Sequence, residues 1–156
     1  MYLISACLCG VNCKYNGANN FNEMCNEIFK SGKAILICPE QLGGLSTPRI
    51  PSELQGNSAD VINNNGKVVT KDGLDVTKEF IKGAKEVMRI AEKLPISVAI
   101  LKEGSPSCGV NYVYDGSFKG KKIKGRGITT EILKEMGIKV LSEKDLEERS
   151  INVWFF

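Results

Sequence analysis

The sequence predicts an α/β fold: a three-layer, Rossmann-like sandwich with a mostly parallel sheet and an inserted hairpin, in a single domain over residues 1–156. Three observations predict it. Short runs of unbroken apolar residues, such as Ala34–Cys38 and Ser97–Leu101, read as strands covered on both faces. Segments with helical apolar spacing alternate with these runs, as in parallel sheets with helices on both sides. The length of 156 residues suits one hydrophobic core.

Taken in order, Tyr2–Cys7 is a short apolar strand, and a mostly polar loop follows from Leu8 to Asn20. Phe21–Lys30 is a predicted helix with Phe21, Met24, Cys25, Ile28 and Phe29 on one face and Gly32 after its end. Ala34–Cys38 is the second strand, and Pro39 to Pro51 a loop holding Gly43-Gly44, Pro48 and Arg49. Ala59–Asn63 and Lys67–Thr70 suggest a hairpin around Asn65-Gly66. Asp75 is placed to cap a long helix to Leu94, whose stripe runs through Val76, Phe80, Ile81, Ala84, Val87, Met88, Ala91 and Leu94. The strand Ser97–Leu101 leads into a long loop, Lys102–Gly127. Ile128–Met136 is helical and Ile138–Leu141 a strand. Ser142 and Asp145 then form a capping box before a last helix, with Asp in place of the usual Glu. The apolar end, Val153-Trp154-Phe155-Phe156, is expected to dock on its own domain.

Composition narrows the function. A net charge of +3 is too small to argue for a nucleic-acid polymer as partner. No apolar run approaches the length of about 20 residues that spans a bilayer, and no basic, then apolar, secretory leader is evident, so a cytoplasmic protein is expected. In a reducing compartment, six cysteines point to metal ligands or reactive thiols rather than to disulfides. The chain contains 0 histidines, which removes Ser-His and Cys-His nucleophile systems and every His-ligated zinc site.

Three cysteines lie at or just beyond the carboxyl ends of predicted strands, each beside Gly, Pro or Ser: Cys7, Cys38 and Cys108. Ligands in open α/β sheets bind outside those strand ends, so the three thiols are expected to converge. Thiolates favor zinc, copper(I) or iron–sulfur clusters. The paired C-x-x-C motifs of structural zinc are missing, and Cys38-Pro39 matches the end of a bacterial ferredoxin ligand run. Three thiolates can carry a [4Fe–4S] cluster through three irons, leaving the fourth as a soft Lewis acid for a sulfur-bearing substrate. The other readings of the trio are plain packing and a single nucleophilic thiol. Glu40, directly after Cys38-Pro39, is the leading acid–base candidate. Ser105 and Ser107 flank Pro106 and can bond a cluster sulfur or a substrate carbonyl. Gly43-Gly44, Arg49 and Gly125-Arg126-Gly127 can hold a phosphate. Cys25 belongs to the core, and Cys9 and Cys13 are expected to play a neutral loop role.

Several stretches, spread over nearly the whole chain, resemble one family. They include Ser5-Ala6-Cys7-Leu8-x-Gly10, Tyr15-x-Gly17, Cys38-Pro39-Glu40-x-x-Gly43-Gly44-Leu45, Thr47-Pro48-Arg49 and Ser105-Pro106-Ser107-Cys108-Gly109. Tyr114-Asp115-Gly116 and Gly127-Ile128-Thr129 extend the match. The chain resembles the DUF523 family, which includes the thiouracil desulfidases. The resemblance implies a [4Fe–4S] cluster on Cys7, Cys38 and Cys108. It also implies removal of sulfur from a thiolated pyrimidine, base or nucleotide, with water supplying the oxygen. Carried over, Glu40 activates water or shuttles a proton, a serine of the Ser105/Ser107 pair positions the base, and the Tyr15-Asn16 loop contacts substrate or phosphate. The family usually reads Arg-Tyr-Asp-Gly where this chain has Lys14-Tyr15-Asn16-Gly17, and Cys9 stands where Leu is usual. The alternatives are a non-catalytic metal- or cluster-binding module for redox sensing or cluster handling, and a nucleotide-binding protein without metal.

Overall fold

A computed structural model describes residues 1–153 of the chain, with side chains described through Arg149. The expected docking of residues 153–156 rests on side chains that lie outside the described ones. Four strands form a wholly parallel sheet in the order β2-β1-β5-β8. These are β1 (Tyr2–Ser5), β2 (Ala34–Ile37), β5 (Val98–Leu101) and β8 (Lys139–Ser142). Leu3 lies opposite Ile35 on one side and Ala99 on the other, and Ile100 opposite Leu141.

Side chains alternate across the sheet with a period of two, and both faces are apolar. Leu3, Ile37, Ala99, Leu101 and Val140 pack with Val87 and Ala91 of α4 (Thr77–Lys93) and Leu133 of α5 (Ile128–Glu135). Ile4, Ala34 and Ile100 face the other way, onto Cys25 and Ile28 of α1 (Glu23–Lys30) and Leu146 of α6 (Glu143–Val153). This explains why the strands read as unbroken apolar runs, and it builds the three layers. Cys25 is fully buried, in the core as expected. Among the described residues, no helix is long and apolar enough to cross a membrane.

The inserted hairpin is real, but its partner differs from the expected one. β4 (Lys67–Thr70) pairs antiparallel with β3 (Ser52–Gln55), and the expected first arm is instead helical, α3 (Ser58–Ile62). Asn57 caps that helix, its side chain accepting from Asp60 N at 2.8 Å, while Val61 is buried in the second core. The Asn65-Gly66 turn therefore closes a helix, and Gly66 lies against the Gln55 carbonyl of β3. The long loop after β5 contains a second hairpin, β6 (Tyr112–Tyr114) with β7 (Lys122–Lys124). Its β7 arm is exposed and lysine-rich, which hides it from an apolar search. α1 begins two residues later than expected because Asn22 caps it, accepting from Cys25 N at 3.1 Å, and Phe21 stays outside and exposed. Asp75 does cap α4, from one residue beyond the cap position, taking Thr77 N at 3.0 Å and Thr77 Oγ1 at 2.6 Å. The Ser142–Asp145 capping box forms as expected, with bonds of 2.8 and 3.1 Å.

One further element bears on the site. The Pro39–Pro51 segment opens with a short helix, α2 (Pro39–Leu42), which crosses α4 at backbone contact. A Cβ at Gly43 would overlap the Glu79 carbonyl, and one at Gly83 the Pro39 carbonyl. These two glycines let α2 lie close against α4, and so set where Cys38 and Glu40 sit.

Candidate active site

The carboxyl ends of β1, β2 and β5 open into a cavity of about 530 Å³. These parallel strands deliver their exits to one edge: Cys7 and Cys38 follow β1 and β2 within two residues, and Cys108 lies in the loop after β5. Cys7 sits in a 3-10 turn, Ala6–Cys9, that ends at Gly10 with φ +84°. Its carbonyl accepts from Asn20 N at 3.0 Å, which closes the first loop. Cys38 caps α2, and Cys108 is reached through Ser105-Pro106-Ser107 after β5. All three line the cavity.

A fourth thiol lies with them. Cys13, given a neutral loop role from the sequence, is buried, lines the cavity and touches the thiols of both Cys7 and Cys38. Its contacts hold its own proton and push its pKa upward, chiefly through Cys38, then Cys7, with burial adding to them. The same contact draws Cys38 down to about 7, against burial and with help from the Gln41 amide. Cys7 is lowered too, mainly by Cys13, with burial opposing and Asn20 assisting. Burial pushes Cys108 up to about 12, against hydrogen bonds from Ser5 and Ser107. The only signal for Cys13 in the sequence was its place one residue before Lys14-Tyr15, since it lies on no strand end. All six cysteines are free thiols.

The loop carrying Cys108 is held internally. Ser105 Oγ accepts from Ser107 N and Cys108 N, both at 3.1 Å, and lies 2.9 Å from Ser107 Oγ. Ser107 Oγ reaches the Cys108 thiol at 3.6 Å. The two serines thus part company: Ser105 lines the cavity, whereas Ser107 is buried behind Cys108. Below them Glu103, 4% exposed, gathers the amides of Val110 at 2.8 Å, Asn111 at 2.9 Å, Tyr112 at 3.2 Å and Gly104 at 3.3 Å on one carboxylate oxygen. Its carboxyl is held below the usual range: burial alone would raise it, and the amides of Asn111, Val110 and Tyr112 outweigh that. Lys102 lines the cavity beside it, with Nζ 2.6 Å from Glu143 Oε1. The sequence reading passed over both residues, although they directly follow a strand end.

Glu40 lines the cavity from α2 and pairs with Arg49, whose Nη2 donates to Glu40 Oε2 at 3.3 Å. Tyr15 stands at the mouth, half exposed, its carbonyl accepting from Arg49 N at 2.7 Å. The remaining expected contacts lie apart. Asn16 turns back on its own loop, taking Ala18 N at 3.0 Å, and is not part of the cavity wall. The amides of Gly43 and Gly44 go to Pro39 O at 2.9 Å and Gln41 O at 3.0 Å, which leaves neither for a phosphate. Arg126 is outside the cavity and pairs with Glu131 at 3.5 Å. The first amides of α5 are likewise taken: Ile128 N by Pro106 O at 3.0 Å and Thr129 N by Ser107 O at 2.9 Å. That helix start braces the Cys108 loop instead of holding an anion.

The chain is similar to known proteins along nearly its whole length. Residues 2–145 match the family model described as 2-thiouracil desulfurase. The uncharacterized protein YbbK of Bacillus subtilis (strain 168) is 44% identical over 149 residues, covering 95% of this chain and 99% of the relative. A solved structure of a [4Fe-4S]-dependent thiouracil desulfidase, TudS, superposes with a TM-score of 0.84 at 39% identity, covering 99% of this chain and 98% of that one. The chain belongs to the 2-thiouracil desulfurase family.

Proposed function

We propose that this protein is a desulfidase that converts a thiolated uracil base or nucleotide to the oxo form, with a [4Fe–4S] cluster carried by Cys7, Cys38 and Cys108. The observation that carries this is the meeting of strand-end thiols and Glu40 around one cavity. The donor set fits the cofactor: it is soft and free of disulfides, with Cys108 buried and Cys7 and Cys38 half-buried. Among the described residues, no three acidic or thiol groups are arranged to hold a single metal ion. Thiols arriving from three separate elements suit a larger group spanning between them. Cys108 is protonated as a free thiol, so loading releases its proton.

When bound, the cluster supplies a soft Lewis acid, an iron without a protein ligand, for the thiocarbonyl sulfur. The net change is hydrolytic. Water oxygen bonds to the ring carbon, the carbon–sulfur bond breaks, and the two water protons leave with sulfur as hydrogen sulfide. Glu40 takes a proton from the attacking water and returns it toward the departing sulfur. Ser105 Oγ, held by its bonds to two amides, orients the pyrimidine carbonyl from the loop after β5. Tyr15 offers an aromatic ring at the mouth, and Lys14, which also lines the cavity, meets the phosphate of a nucleotide. A cytoplasmic, reducing setting suits six unpaired cysteines.

The test is anaerobic reconstitution followed by assay of sulfide release from 4-thiouracil and its 5′-monophosphate. Cluster assembly with turnover, lost in Cys108→Ser, supports the enzyme. A cluster without turnover points to a module for cluster handling, and tight zinc with no cluster contradicts the proposal.

A further inference from the structure

We propose that Arg49 is a positioning residue for this reaction, not a substrate-phosphate anchor: its guanidinium fixes the Glu40 carboxylate and ties it to the loop carrying Cys13. The inference rests on the desulfidase function proposed above. The Arg49 side chain is 7% exposed, and both of its Nη nitrogens are committed to the protein. Nη2 donates to Glu40 Oε2 at 3.3 Å and to Cys13 O at 2.8 Å. Nη1 donates to Thr47 Oγ1 at 3.1 Å and Ser46 O at 3.3 Å, while Nε is buried without a partner. The Arg49 amide adds a bond to Tyr15 O at 2.7 Å.

This one side chain joins the start of α2 and the turn before Arg49 to Cys13, 36 residues away in the first loop. A planar fork can serve acceptors in several fixed directions at once, which a lysine ammonium does not reproduce. A buried guanidinium with these partners would have to abandon them to reach a phosphate. The mouth already has an unburied cation in Lys14. Glu40 sits on the cavity wall with Oε2 held, so its reach toward water is set by Arg49.

The experiment compares Arg49→Lys, Arg49→Gln, Glu40→Gln and the double variant. Turnover is measured on 4-thiouracil and on its 5′-monophosphate, with iron content determined for each protein. Misplacing a reacting group by an ångström costs about 100-fold. Arg49→Gln should lower kcat by about that factor on both substrates, with KM changed less than about threefold on either. In the Glu40→Gln background it should add little, because the two act as one unit. A rise in KM confined to the nucleotide would overturn the proposal in favor of a phosphate anchor, and so would full additivity. Thermal unfolding of the cluster-free chains gives a readout independent of activity. Each single variant should unfold at least about 5 °C lower, and the double should be no worse than the poorer single, because removing both partners leaves no buried charge unpaired. Independent shifts would overturn the pairing even if a variant retains too little iron to assay. If the wild type itself fails to turn over, the desulfidase proposal fails, while the unfolding cycle still decides the pairing.

Discussion

Glu103→Ala is predicted to cost about 4 kcal/mol of stability and to unlock Cys108. The Glu103 carboxylate is nearly buried and serves as a shared acceptor for four backbone amides and the Asn111 side chain. Two of these bonds, from Gly104 and Val110, are fully buried. A buried donor left without a partner costs about 1–3 kcal/mol, and a partly wet one about 0.5–1 kcal/mol. Two of the first kind and two of the second sum to about 3–8 kcal/mol; about 4 kcal/mol, toward the lower end because a loop relaxes toward water, is still a large share of the roughly 5–15 kcal/mol that holds a domain together. Glu103→Gln keeps an acceptor oxygen and should lose less than half as much. The assay is urea unfolding of the cluster-free chain followed by circular dichroism. With a slope near 2 kcal/mol per molar, the Ala midpoint should fall by about 2 M. Alkylation of Cys108, buried in the native chain, should accelerate in parallel. A loss under about 1 kcal/mol, or unchanged alkylation, would refute the assignment of Glu103 as the anchor of this loop. The pH dependence has a definite sign. A depressed carboxyl contributes stability above its unfolded value, near 4.3, and that contribution disappears as pH falls through the lower folded value.

Other consequences follow from the same geometry. In the cluster-free chain Cys38 titrates at about 7 because Cys13 donates to it, so Cys13→Ala should move it toward the ordinary range near 8.5 and slow its alkylation at pH 7 about tenfold. An unchanged rate would show that Cys13 is not its donor. Gly83→Ala drives a methyl group into the Pro39 carbonyl and should cost about 2–3 kcal/mol, measured by thermal unfolding. It should also lower iron retention, since α2 carries Cys38. Asp145→Ala removes half of the capping box and should cost about 1 kcal/mol while leaving iron content intact, which unfolding and metal analysis check together.

The parallel sheet was legible in the sequence because Ala34–Ile37 and Val98–Leu101 are buried on both faces, which removes the alternation a half-buried strand would show. The expectation that Cys7, Cys38 and Cys108 meet came from strand ends alone, and all three line one cavity. Contacts made by chain return were not legible. Cys13 reaches the cavity because Arg49 fastens its carbonyl from 36 residues away, and no local pattern encodes that bond. The partner of β4 was misassigned because Asn57 caps a helix where turn residues also permitted a hairpin. The phosphate signals at Gly43-Gly44 and at the start of α5 were sound as patterns, but their amides are used inside the protein. Glycine at a close helix crossing and glycine at a phosphate look alike in one sequence.

The central claim is that thiols at three strand ends support hydrolytic removal of sulfur. Its most direct test is anaerobic turnover of 4-thiouracil 5′-monophosphate in water labelled with heavy oxygen, following sulfide and product mass together. One sulfide released per product, with one solvent-derived oxygen in each product and loss of both signals in Cys108→Ser, is the predicted result. Product carrying no solvent oxygen, or turnover undiminished in Cys108→Ser, would contradict it.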